Sequence, residues 1–302
     1  MTIARYALSS NRFSPMLTVL ACIAVDHDPV SLVAAVLICV LGSLLTMRLF
    51  SRVRSARGPA RASWIALTAI IGGSSIWTTH FVAMMGYEAD ALAGYEPTAT
   101  LLSLVLAIMI TGVGLFIAAV TARSFLIEAG GALVGAGIAS MHYVGMSGYQ
   151  VQADLHWNMN YVWASLVAAG LFGALATNRV ARPVTRFCRY GGGAALVLAI
   201  ASTHFIGMTA LNVQPNPGAS LPVNMLPESV MTVVLIFVTL LILAIGAMTY
   251  VIDRQSSKSA VERYRQLSLH DALTGLPNRM AFLERLGDLM DRPAARNERI
   301  YI

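Results

Sequence analysis

The chain has 302 residues, of which 57% are hydrophobic and 12% charged, whereas a soluble domain carries about 25% charged residues. So few polar side chains cannot cover a water-facing surface, and lipid is the expected solvent. The net charge of +6 does not point to nucleic acid, because the Arg residues sit in short clusters between apolar runs, which is a signal of membrane topology.

Residues 1–29 form an outer-face lead-in. Met16 to Val25 is apolar and follows Arg5 and Arg12, a weak likeness to a signal sequence. It is too short to span a bilayer, which takes about 20 residues, and Asp26-His27-Asp28-Pro29 ends it. His27 reads as part of a solvated helix entry, with an auxiliary ligand role as the alternative. Seven long apolar runs follow within residues 30–252: Val30–Phe50, Ser63–Met85, Thr98–Thr121, Phe125–Met146, Tyr161–Asn178, Tyr190–Leu211 and Glu228–Ile252. None alternates with period 2, so they predict helices, and helices satisfy their own backbones in lipid. The fold class is all-α integral membrane, a seven-transmembrane helix bundle.

Charge sets the orientation. Arg52, Arg54, Arg57 and Arg61 fill the first connection, Arg123 the third, and Arg179, Arg182, Arg186 and Arg189 the fifth. The second holds Glu88, Asp90 and Glu96, the fourth Asp154, and neither has Lys or Arg. The Arg-rich side is therefore cytoplasmic, with the N-terminus outside and the C-terminus inside. The expected location is the bacterial inner membrane, with the lipid bilayer as partner. Trp77, Phe81, Tyr87, Tyr95, Tyr149, Trp157 and Tyr161 gather at outer helix ends and predict an aromatic belt. Cys22, Cys39 and Cys188 fit no zinc or redox spacing.

An internal repeat carries the chemistry. Trp77-Thr78-Thr79-His80-Phe81-Val82-Ala83-Met84, Ala139-Ser140-Met141-His142-Tyr143-Val144-Gly145-Met146 and Ser202-Thr203-His204-Phe205-Ile206-Gly207-Met208 all read His, aromatic, β-branched, small, Met. The His residues recur every 62 positions, the length of one helix hairpin, so three hairpin repeats place them at one depth near the outer ends of the second, fourth and sixth helices. Residues at i and i+4 share a helix face, which pairs His80 with Met84, His142 with Met146 and His204 with Met208. Gly72-Gly73, Gly130-Gly131, Gly135, Gly137 and Gly191-Gly192-Gly193 lie deeper on these helices and let helices approach closely, so the three should form an inner layer. Thioether and imidazole together favour Cu(I) over hard cations. Zinc prefers thiolate, imidazole and carboxylate, and a proton relay gives no reason for the Met. The bland alternative is that each His hydrogen-bonds locally and each Met packs.

These segments resemble the MHYT domain, a bacterial membrane sensor module, over residues 16 to 252. The second copy, Met141-His142-Tyr143-Val144, departs from the family's signature only at its last position. The others place Thr79 and Thr203 before the His and Phe81 and Phe205 after it. The resemblance implies copper bound by His80, Met84, His142, Met146, His204 and Met208, with Met141 as a further candidate, and implies sensing of a diatomic gas at that metal.

Residues 253–267 read as a polar helical linker that could continue the seventh helix and support a homodimer. Asp271-Ala272-Leu273-Thr274-Gly275-Leu276-Pro277-Asn278-Arg279 resembles the opening of a GGDEF domain, the diguanylate cyclase module, over residues 268–302. In that family the Mg²⁺-holding carboxylates that phosphoryl transfer needs lie at the end of the first strand, which Arg299 to Ile302 would begin, and in the later GGDEF turn. The chain therefore reads as a truncated sensor–cyclase with no catalytic residue of its own. The favoured function is a membrane sensor regulating cyclic di-GMP output. A copper carrier and a structural anchor are the rivals.

Overall fold

The computed structural model describes residues 15–87, 93–185, 187–216, 218, 225–271 and 274–290. Arg5, Arg12, Glu88, Asp90, Arg186 and the strand expected at Arg299 to Ile302 lie outside them. Helix α1 (Pro15–Val25) precedes seven long apolar helices: α2 (Pro29–Ser55), α3 (Pro59–Met85), α4 (Pro97–Val120), α5 (Ser124–Ser147), α6 (Met159–Ala181), α7 (Cys188–Thr209) and α8 (Glu228–Leu269). All seven have the length and composition to cross a membrane. The fold is the seven-helix bundle its apolar runs predict.

The outer connections differ from the expected loops. β1 (Ala93–Tyr95) pairs antiparallel with β2 (Tyr149–Val151), and β3 (Ala153–Trp157) with β4 (Leu211–Pro215). Short polar segments between spans still need backbone partners where they lie buried, and strand pairing supplies them. The aromatic belt is also corrected. Trp77, Phe81, Tyr95 and Tyr149 are buried and stack on one another rather than facing lipid. Their rings fill the outer core, and the Trp77 indole N–H reaches the Thr100 carbonyl and the Ser103 hydroxyl, each at 3.2 Å.

The helices close into a ring. α2 packs on α3, α3 on α4, and so on through α7, which returns to α2, while α5 touches both α3 and α7 across the interior. Half or more of the central window of α3, α5 and α7 is buried, against a third or less for α2, α4, α6 and α8, so the predicted inner layer is present. Its deeper glycines, however, do not join the inner helices to each other. A Cβ on Gly73 would strike the Ile108 backbone of α4, one on Gly130 would strike Gly114 of α4, and one on Gly131 would strike Gly173 of α6. The missing side chains seat each inner helix against its outer neighbours.

The three hairpins share one closure at the outer side. The backbone N–H of Asp28 donates to the Gly86 carbonyl at 2.7 Å, that of Glu96 to Gly148 at 2.8 Å, and that of Asn158 to Ala210 at 2.8 Å. Each donor residue also caps its own helix. Asp28 accepts from the Ser31 N–H, Glu96 from Thr98 and Ala99, and Asn158 from Asn160, satisfying N–H groups that helix geometry leaves free. Pro29 and Pro97 at the next position need no such partner. The start of each odd span is thereby tied to the end of the following even span.

The contacts divide the chain into residues 1–243 and 244–302. Within the second unit, Asp271 Oδ1 accepts from the Thr274 N–H and hydroxyl at 2.9 Å. Gly275 takes φ +68°, a left-handed conformation that glycine adopts without strain. Asn278 then caps α9 (Arg279–Met290) through the Met280 and Ala281 N–H groups.

Candidate metal centre

His80, His142 and His204 meet inside the bundle. Each comes from the outer third of one inner helix, and all three are at least 94% buried. His80 Nδ1 lies 3.2 Å from His204 Nδ1 and 3.3 Å from His142 Nδ1. The ring centroids form a triangle with edges of 4.9, 5.3 and 5.7 Å. Equal depth on three clamped hairpins brings them together, as the 62-residue period requires.

The glycine three positions after His142 and after His204 has a structural role. Gly145 lies against the His80 ring, where a Cβ would stand 3.1 Å from Nε2, and Gly207 lies against the His142 ring, where a Cβ would overlap Nε2. One repeat's glycine thus makes room for the preceding repeat's imidazole. Met84, Met141, Met146 and Met208 are all buried in the same core. The variable leading position is explained in part: Thr203, equivalent to Met141, spends its hydroxyl on the Ala199 carbonyl at 2.6 Å. The Tyr143 hydroxyl is 2.6 Å from Ser165 Oγ on α6, outside the triangle, so Phe81 and Phe205 lose no contact to the cluster.

His27 is the residue that sequence reasoning underrated. It is buried, not solvated, and its Nε2 lies 3.4 Å from His204 Nε2. It bridges to Tyr87, and the equivalent pairs in the other hairpins are Tyr95 with Tyr149 and Trp157 with Leu211. Position 27 is thus an inward-facing aromatic site. The signal was its place directly before a helix cap, matching Tyr95 before Glu96 and Trp157 before Asn158.

Hydrogen bonding fixes the His27 tautomer. Its Nδ1 is 3.0 Å from the Cys22 carbonyl, which can only accept, so Nδ1 carries the proton. Burial holds His27 below the usual imidazole range, against the opposing pull of that carbonyl and of Asp26, which favours the ring with a bare Nε2. Facing a bare His27 Nε2, His204 donates from its own Nε2, which directs its Nδ1 lone pair at the shared centre. Metal-bound His residues ordinarily donate their second N–H to such an acceptor.

The residues fit a metal ion. Two ligand nitrogens about 2.0–2.1 Å from a tetrahedral ion stand about 3.3–3.4 Å apart, and the observed Nδ1 separations are 3.2 and 3.3 Å. Neutral rings carry one proton each, so a single His80 Nδ1–H would have to be shared between the His142 and His204 Nδ1 atoms. His80 Nε2 and His142 Nε2 have no hydrogen-bond partner among the described residues. Below the triangle the buried hydroxyls of Ser75 and Thr111 likewise lack a hydrogen-bond partner among the described residues, while those of Ser43 and Thr79 face the Cys39 thiol. Hydroxyl oxygen is a hard donor and does not suit a soft ion. Cys22, the outermost thiol, is buried, and burial with the Asp26 charge pushes it up to about 12, so it offers no thiolate.

The repeats match the MHYT family, described as a bacterial signalling protein N-terminal repeat, at residues 73–131, 135–193 and 198–260. The chain belongs to the MHYT family. Each matched unit begins near an inner helix's His level and runs through the next outer helix, so the family repeat is offset by half a hairpin from the clamped units described above. The chain is 37% identical over 251 residues to an uncharacterized signaling protein of Caulobacter vibrioides, covering 82% of this chain and 31% of that protein. It is 28% identical over 290 residues to the bifunctional diguanylate cyclase/cyclic di-GMP phosphodiesterase MucR of Pseudomonas aeruginosa, covering 91% and 42%. It is 29% identical over 288 residues to the cyclic di-GMP phosphodiesterase NbdA of the same organism, covering 85% and 36%. The chain spans about a third to two fifths of the length of these curated relatives. No solved structure matches it.

Proposed function

We propose that this MHYT chain is the membrane sensor of a cyclic di-GMP signalling protein and that its His80–His142–His204 centre holds copper. The convergence of three buried Nδ1 atoms carries the reading. Met84, Met146 and Met208 follow their His by one turn on the same helix faces, and with Met141 they supply the thioethers that favour Cu(I). A diatomic ligand at such a metal, bound unequally in two arrangements of the hairpins, would shift their balance. The names of the Pseudomonas relatives support cyclic di-GMP as the output. In that reading residues 268–302 open a GGDEF domain, residues 253–267 link it to the sensor, α8 and the linker pair two copies, and the protein sits in the inner membrane.

Metal analysis of purified protein tests the centre. Wild type should hold copper in a fixed ratio, and the His80→Ala/His142→Ala/His204→Ala variant should hold almost none. Equal copper in both would leave only a structural anchor. The carrier reading is disfavoured by the hard hydroxyls below the triangle, and net copper flux into vesicles would restore it.

A further inference from the structure

At the Arg-rich end, α2, the end of α6 and the start of α7 enclose a cavity of about 350 Å³, within the range of small-ligand pockets. It is lined by Arg54, Arg189, Ser51, Ser55 and Thr185. Arg54 is held from behind, its Nη1 donating to the Ala118 and Thr121 carbonyls at 2.6 and 3.2 Å. A guanidinium has five N–H donors, so this anchoring leaves a positioned fork. Arg61 and Arg182 lie close enough to repel it electrostatically, and among the described residues no carboxylate lines the cavity. The site therefore concentrates positive charge where an anion would relieve it, while the Ser51 and Ser55 hydroxyls already donate to the Arg48 and Ser51 carbonyls.

The same two helices line a second, apolar cavity of about 360 Å³ formed by Val40, Leu44, Gly193, Ala194, Val197 and Leu198, with Tyr190 at its edge. On α2 the lining residues of both cavities, 40, 44, 51 and 55, fall on one helix face. On α7 the basic and apolar linings adjoin at Arg189 and Tyr190. Gly193 lacks the Cβ that would press on Leu44, which keeps the groove open.

The geometry points to a specific site for an anionic phospholipid of the cytoplasmic leaflet, its phosphate on Arg54 and Arg189 and an acyl chain along the α2–α7 groove. Basic pockets between helices on the cytoplasmic side are the usual form of such sites. A free phosphate or a nucleotide phosphate would use the Arg end alone and leave the apolar groove without a role. The site seals the α2–α7 contact, where the ring of helices closes between residues farthest apart in sequence.

Native mass spectrometry and thermal unfolding of the full chain in detergent test this, with phosphatidylglycerol, phosphatidylcholine, inorganic phosphate and cyclic di-GMP as probes. Phosphatidylglycerol should be retained and should raise the unfolding temperature, and phosphatidylcholine should not. The preference should fall roughly fivefold for each Arg removed in Arg54→Gln and Arg189→Gln. Ala194→Phe, on the exposed side of the groove, should weaken lipid retention with the Arg residues intact, which keeps the test valid if Arg54→Gln fails to fold. Equal retention of both lipids would overturn the proposal. So would equal stabilisation by phosphate or cyclic di-GMP, which would mark a soluble-anion site.

Discussion

His27 Nε2 faces His204 Nε2 at 3.4 Å, which joins the segment before the first span to a ring on the sixth. Because the Cys22 carbonyl takes the other His27 nitrogen's proton, this contact dictates which nitrogen of His204 looks into the centre. His27 is a positioning residue, and its loss should be felt as metal affinity rather than as absence of the site. His27→Phe should weaken copper affinity by about 10–100-fold, the usual cost of deleting such a partner, while His27→Gln, which keeps an acceptor, should retain most of it. Competition titration against a Cu(I) chelator measures both. Equal affinity in His27→Phe and wild type would remove His27 from the site.

Gly207 is where the repeat's spacing meets the site's volume. Gly207→Ala places a Cβ into the His142 ring, and overpacking of this kind costs about 1–3 kcal/mol. The variant should unfold at lower temperature and bind less metal. Gly191→Ala is the control: nothing lies within 4 Å of its Cβ, and replacing a helical glycine by alanine stabilises by roughly 0.5–1 kcal/mol. Thermal unfolding of the two variants should move in opposite directions.

The Glu96 cap predicts a pH dependence. Its carboxylate lies below its ordinary 4.5 because the Ala99 and Thr98 backbone N–H groups donate to it. A carboxylate depressed in the folded state stabilises above its unfolded value, and the stabilisation is lost as pH falls through the folded one. The unfolding temperature of wild type should therefore drop between pH 5 and pH 3 (roughly the carboxylate range) more than that of Glu96→Gln. Asn158, the neutral cap at the equivalent place, indicates that the amide variant will fold.

Cys22 should resist alkylation. Its thiol is buried and pushed up to about 12, and the thiolate is the reactive form. A maleimide should label it at pH 7.5 only after denaturation. Rapid labelling of the folded protein would show that α1 lifts from the bundle.

The bundle was legible because its signals are local. Apolar length predicts all seven spans; α2 and α3 begin earlier at Pro29 and Pro59, and α2, α6 and α8 run on past the apolar stretch through Arg-bearing segments. The His triangle was legible because period converts directly into depth. What periodicity could not supply was lateral arrangement. The deeper glycines of α5, Gly130, Gly131, Gly135 and Gly137, face α4 and α6 rather than α3 and α7, since a small residue states that something approaches without stating what. The burial of His27 and of Tyr95 and Tyr149 depended on pairings between segments more than 50 residues apart, which no local pattern encodes.

The outer clamps have a mechanical consequence. Each hairpin is tied to itself at the outer end through Asp28 and Gly86, Glu96 and Gly148, or Asn158 and Ala210, and each lends one imidazole to the triangle. The assembly behaves as a tripod whose legs are individually braced and whose apex is the ligand set. In the proposed function, a change of occupancy at the apex would find little slack within a leg and would tilt the legs against one another. Such a tilt would reach the Arg-rich feet.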